Sequence, residues 1–161
     1  CRKLKIGGDI FNSLISLTYF NLSGCVKVEI LDNGFSNLIS LQTLFFNNCI
    51  NLKKIHTTFD GMINLKNLSL KDCINMKIEG NASNTLISLT YFDLSSCIKV
   101  ETINNRSANL VSLEIRCFNN CTNLMMIHAI FDSMTNLKKL SFDGCENLKD
   151  TPIELKHLSC L

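Results

Sequence analysis

The chain has 161 residues, 46% of them hydrophobic and 19% charged, with a formal net charge of +2. That length supports a packed core, and the composition excludes a disordered polar chain. The charge is too small for an electrostatic footprint on nucleic acid or an anionic membrane, and no apolar run approaches the ~18 residues of a membrane span. No nucleic-acid partner and no membrane span are therefore expected. The sequence begins at Cys1 without a signal-peptide pattern and reads as a piece of a longer protein.

Seven of the nine cysteines recur at one constant interval: Cys1, Cys25, Cys49, Cys73, Cys97, Cys121 and Cys145. A fixed period of about 20–50 residues marks a solenoid, in which each unit buries its apolar side only against its neighbours. The elements follow in the same order in every unit. First comes leucine, eight before the cysteine (Leu17, Leu41, Leu65, Leu89, Leu113, Leu137). Next is a period-two alternation that predicts a short strand, with Phe20, Leu44, Leu68, Phe92, Arg116 and Leu140 inward, then Leu22, Phe46, Leu70, Leu94, Phe118 and Phe142. Stacked about 4.8 Å apart, these strands form a parallel sheet. The cysteine follows, where the chain leaves the sheet. A small thiol there packs as a hydrophobe and satisfies backbone groups at the turn. Disulfides down the column are disfavoured because the Cβ vectors run parallel, and a metal is disfavoured because no CxxC pair exists. The return stretch carries Phe11, Phe35, Phe59 and Phe131 with Leu or Met three later, a spacing that fits one short turn of helix or 3₁₀.

A longer period of three units lies on top: LISLTYFNLSGCVKVE (14–29) returns as LISLTYFDLSSCIKVE (86–101), and CINLKKIHTTFDGM (49–62) as CTNLMMIHAIFDSM (121–134). No linker divides the chain, so residues 1–161 read as a single array of six full 24-residue units with partial ends. Arg116 breaks the inward strand column. Three resolutions are open for it: a packed stem with its head reaching solvent or backbone carbonyls, a local change of face that turns Ile115 and Cys117 inward, or a contact to a ligand.

Residues suited to chemistry do not converge. His56 and His128 are equivalent but three units apart, about 14 Å, too far to share one zinc ion. His157 is isolated, and Asp60 and Asp132 suit turns. No nucleophile–base pair or phosphate loop recurs, so no catalytic residue, metal or cofactor is assigned. Five N-x-S/T triplets, at Asn21, Asn67, Asn81, Asn105 and Asn120, exceed only slightly the roughly three expected by chance and carry little weight for secretion.

What remains is a display face. The outward strand positions read Tyr19, Thr43, Asn67, Tyr91, Ile115, Lys139; then Asn21, Phe45, Ser69, Asp93, Cys117, Ser141; then Ser23, Asn47, Lys71, Ser95, Asn119, Asp143. They vary in size and charge while the inward columns hold steady. Exposed aromatics anchor interfaces, and the candidate partner-binding set is Tyr19, Phe45, Lys71, Tyr91, Asp93, Ile115 and Lys139.

Units such as SLTYFNLSGCVKVEIL and NLKKLSFDGCENLKDTPIELKHL resemble leucine-rich repeats of the LxxLxLxxN/CxL pattern. The cysteine variant at this length is similar to the repeats of plant intracellular immune receptors of the nucleotide-binding, leucine-rich-repeat class, and Pro152 falls where that family often has Leu-Pro. Most units lack that proline. The resemblance implies an α/β solenoid: a curved array with a parallel β-sheet on the concave face and short helical, 3₁₀ or irregular turns on the convex face. It also implies a non-catalytic module in the cytoplasm that binds a protein or peptide on the concave face. Other readings are the substrate-recognition array of a ubiquitin-ligase adaptor and an architectural protein that self-associates through uncapped ends.

Overall fold

The computed structural model describes residues 4–6, 11–31, 35, 37–55, 59, 61–77, 86–105, 110–129 and 134–149. His56, Asp60, Phe131, Asp132, Pro152 and His157 lie outside them. Each expected front strand is present: β2 (Tyr19–Asn21), β4 (Thr43–Phe45), β6 (Asn67–Ser69), β7 (Tyr91–Asp93), β9 (Ile115–Cys117) and β11 (Lys139–Ser141). They pair in parallel as one six-stranded sheet in the order β2-β4-β6-β7-β9-β11, each residue facing its equivalent in the next unit. This is the concave sheet of the leucine-rich-repeat solenoid.

The three-residue spacings are corners. The amide of Leu41 bonds the Leu38 carbonyl (3.0 Å), that of Cys49 the Phe46 carbonyl (3.3 Å) and that of Leu52 the Cys49 carbonyl (2.9 Å). The same three corners recur in the following coils, and a further one, Leu38 to Phe35 (3.0 Å), bends the chain back. Each i→i+3 turn spends two residues on the surface and returns the third to the interior, so LxxL and CxxL are turn codes while LxL is a strand code. The result is a core in which Leu41, Leu65, Leu89, Leu113, Phe46 and Phe118 are fully buried, each contributing about 1.5–3 kcal/mol by burial.

The return is more extended than the sequence suggests. Beside the single turns at Phe11 and Phe35 it carries short strands: β1 (Leu4–Ile6), β3 (Val28–Leu31) and β5 (Lys54–Ile55) form one parallel set, and β8 (Thr102–Asn105) with β10 (Met126–Ala129) another. The cause is local. After the third corner the chain reads VEIL, KI, TINN and MIHA, rich in β-branched residues that favour strands.

The cysteines behave as structural thiols. Cys73, Cys97, Cys121 and Cys145 direct Sγ at the carbonyls of Phe46, Leu70, Leu94 and Phe118 one coil back, at 3.0–3.1 Å. Each of those carbonyls also accepts the amide of the cysteine in its own coil. All described cysteines are free. The residue before the cysteine adopts a left-handed conformation in six coils: Gly24, Asn48, Asp72, Ser96, Asn120 and Gly144, with φ between 58° and 77°. Gly, Asn and Asp tolerate this at little cost, so the column explains itself except at Ser96.

Arg116 is fully buried, with a relative exposure of 0%. Its strand keeps phase, pairing Phe92 on one side and Leu140 on the other, so the change of face, one of the three open resolutions, does not occur. With that burial its head does not reach solvent. It packs inside the core, the guanidinium carbon 4.8 Å from the Phe118 ring centroid and 5.8 Å from that of Phe92, with Nη1 3.9 Å from Met134 Sδ. Cation–π contacts return about 0.5–2 kcal/mol each and so offset part of the cost of a charge in an apolar column.

Two outcomes follow from the corners. Ser96→Gly relieves the strained member of the left-handed column and raises stability by about 0.5–1 kcal/mol, read as a higher urea midpoint with unchanged slope. Burial, the first cause, pushes the Cys97 thiol up and the Cys121 thiol up to about 12. Protonated thiols are thus favoured by the folded state. Their contribution is complete below the ordinary thiol value near 8.5 and is lost as pH rises through the folded values. At about pH 8, Cys97 and Cys121 resist alkylation in the folded protein and react on unfolding; mass spectrometry of native and denatured samples checks this.

Candidate interaction face

The front strands place the seven candidate residues on one surface. Tyr19, Tyr91, Ile115 and Lys139 share a column, the last three on consecutive strands in register. Tyr19 is 55% exposed at the edge strand β2, and its ring meets Phe45 of β4 edge-on, centroids 6.2 Å apart. The Tyr19 hydroxyl accepts a hydrogen bond from Asn21 Nδ2 at 3.1 Å. Phe45, Tyr91 and Ile115 are half-buried, and Lys71 and Lys139 are exposed.

Asp93 differs from the others. Although its position points outward, it is only 7% exposed. Its Oδ2 accepts the Tyr91 hydroxyl (2.9 Å) and its Oδ1 the Ser95 amide (2.8 Å). Burial, then the Asp93 bond and charge, push the Tyr91 phenol well above its usual range. The carboxylate thus holds the tyrosine ring in place. Ser69 and Cys117, on the strands either side, are also buried, so the centre of the face has a low, closed floor with Tyr91 and Ile115 standing beside it. Burial and the Asp93 charge push the Cys117 thiol up, which makes it a poor nucleophile.

Part of the face is an internal network. Asn47 Oδ1 accepts Ser69 Oγ and the Lys71 amide; three units later Asn119 Oδ1 accepts Ser141 Oγ and the Asp143 amide. These polar residues hold neighbouring coils together. Among the described residues no three His, Cys, Asp or Glu side chains are placed to hold a metal ion, and no helix is long and apolar enough to cross a membrane.

A second surface escaped the sequence reading. Ile15, Ile39, Ile63, Ile87 and Val111 form a ridge at the corner entering the front sheet, each 45–54% exposed. The positions after them are Ser16, Ser40, Asn64, Ser88 and Ser112, so this edge carries no charge. The signal is present in the chain, since these residues obey the same period as the cysteines. It is easily passed over because it belongs neither to the inward columns nor to the strand positions.

No curated protein and no solved structure matches the chain. A protein-family model does: the BspA type leucine rich repeat region, in six copies, over residues 4–107 and 43–159. With that match and the cysteine-cornered solenoid geometry together, the chain belongs to the BspA-type leucine-rich-repeat family.

Proposed function

We propose that the front sheet is a protein- or peptide-recognition surface on a scaffold that carries out no chemistry of its own. The observation that carries this reading is the contrast between a nearly uniform buried column and an outward column reading Tyr19, Thr43, Asn67, Tyr91, Ile115, Lys139. Leucine-rich repeats suggest a protein-interaction module. The aromatic members are the anchors, because a held ring buries much area at small entropic cost. Lys71 and Lys139 flank them as rim charges that steer approach.

Within this reading the array senses ligands for an intracellular immune receptor of the nucleotide-binding class and works in the cytoplasm. The likeness of the cysteine-type units supports that placement. The substrate array of a ubiquitin-ligase adaptor is the alternative. The coding sequence upstream separates them: a nucleotide-binding segment selects the first, an F-box the second.

Peptide display against the folded protein tests the surface itself. Tyr19→Ala and Tyr91→Ala weaken selected binders by about 2 kcal/mol, roughly 30-fold, while the back-face variant Met126→Ala leaves them unchanged. Binders indifferent to both tyrosines would sink the proposal.

The apolar ridge favours a second reading, self-association along that edge rather than through uncapped ends. Its uniform spacing makes it complementary to itself under a two-fold axis, and charge depletion is what distinguishes an interface core. Sedimentation over a concentration series should show weak dimers that Ile39→Asp and Ile63→Asp weaken at least tenfold (about 1.4 kcal/mol). A wild-type protein that stays monomeric throughout excludes this reading.

A further inference from the structure

The charges of the front face are not spread evenly along its strands. The residue that enters each strand and the outward residue after it form an entry edge, whose charged members are Lys66, Glu114, Lys138 and Lys139. Lys138 takes up the one acid, with Nζ 3.0 Å from a Glu114 carboxylate oxygen. Lys66 and Lys139 are exposed and make no ion pair among the described residues. Where the strands end the balance reverses, because Lys71 shares that side with Asp72 and Asp143. The small formal charge of +2 on the whole chain conceals this polarity.

Lys66 precedes β6 and Lys139 opens β11, three strand spacings apart in the order β6-β7-β9-β11. At about 4.8 Å per spacing this is roughly 14 Å. Between them stand Tyr91 and Ile115, side by side in register and half-buried. The floor beside this pair is Asp93 and Cys117. The Asp93 charge is felt there: after burial, it helps push the Tyr91 phenol and the Cys117 thiol up, while Lys139 draws the Cys117 thiol down. A carboxylate is therefore repelled from the middle of this stretch and attracted to its two ends, while the middle offers a ring and an aliphatic side chain.

We propose that this part of the front face takes an extended acidic peptide lying across the strands, with two carboxylate side chains four residues apart and a large apolar side chain midway between them. An extended chain rises about 3.3 Å per residue, so four residues span roughly 13 Å, which matches the separation of β6 and β11. Its side chains alternate with period two, so the two acids and the apolar residue between them all project from one face. The apolar side chain packs on Tyr91 and Ile115, and the carboxylates meet Lys66 and Lys139. This rests on the front sheet being a recognition surface and adds the chemistry of what it takes.

A random-peptide display library selected on the full chain tests this, with the selected peptides then titrated at low and high ionic strength. They should carry Asp or Glu at positions i and i+4 around an apolar residue at i+2, and bind more weakly as salt rises. Lys66→Glu and Lys139→Glu should each weaken them by roughly tenfold at low ionic strength. Lys99→Glu, the same change of charge at an exposed corner off the sheet, should leave them unchanged. Peptides whose matching acid is replaced by lysine should regain binding to the charge-reversed protein, which separates a lost charge from a lost fold. Peptides that depend on Tyr91 but lack the acidic pair, or that bind both reversals as well as the wild type, would overturn the acidic ligand and leave the recognition surface standing. Peptides indifferent to Tyr19 and Tyr91, or a library that yields no binder, would overturn the surface and this proposal with it.

Discussion

The structure depends on one shared acceptor. At five of the six exits from the front sheet a single carbonyl takes the amide of the cysteine three residues on and the thiol of the cysteine one coil later. A carbonyl has two lone pairs, so both bonds are satisfied without water. This links a local turn to the stacking of coils, and it fixes register: a coil that slipped by one residue would lose the thiol bond, the left-handed residue before it and the burial of every leucine at once. It also explains why a thiol suits the place. A buried asparagine brings two donors and an acceptor that all need partners, whereas a thiol has one weak donor and otherwise packs as a hydrophobe. Asparagine is used instead where water is near, as at Asn75 and Asn123, whose amides bond the Ile50 and Ile98 carbonyls of the previous coil from the exposed surface.

Once the corners are set, the faces follow. Turns of three and a strand of period two give each coil fixed inward positions, and everything else is surface. That surface is less free than its outward positions suggest. The Asn47–Ser69 and Asn119–Ser141 pairs repeat three units apart as bonded networks, so the duplication copied the coil-to-coil polar contacts along with the core. Variation that could encode a partner is therefore concentrated in the column from Tyr19 to Lys139, which these networks leave to vary.

Much of this was legible in the sequence. The cysteine period gives the coil, LxL gives the front strands, and the outward columns follow from alternation. Other features were not, for identifiable reasons. The back strands read differently from unit to unit, as VEIL, KI, TINN and MIHA, with no alternation that repeats, and are revealed by their β-branched residues only once their place is known. The left-handed column could have been read from Gly24, Asn48, Asp72, Asn120 and Gly144, but Ser96 obscures it, since serine has no special tolerance for that conformation. The burial of Asp93 is a tertiary matter: an outward backbone position says nothing of a tyrosine two residues earlier whose hydroxyl closes over the carboxylate. Arg116 is the same kind of case. Sequence marks it as an exception to a core column, but whether the strand turns, the head escapes or the core accepts it depends on the two phenylalanines and the methionine around it.

The burial of Asp93 bears directly on recognition. Its carboxylate accepts the Tyr91 hydroxyl, which fixes an aromatic ring upon the face. A held anchor lowers the entropic cost of binding. Ile115 stands beside that ring in register on the next strand, so the apolar contact open to a partner extends across two coils, and the held ring sets where along the column that partner docks.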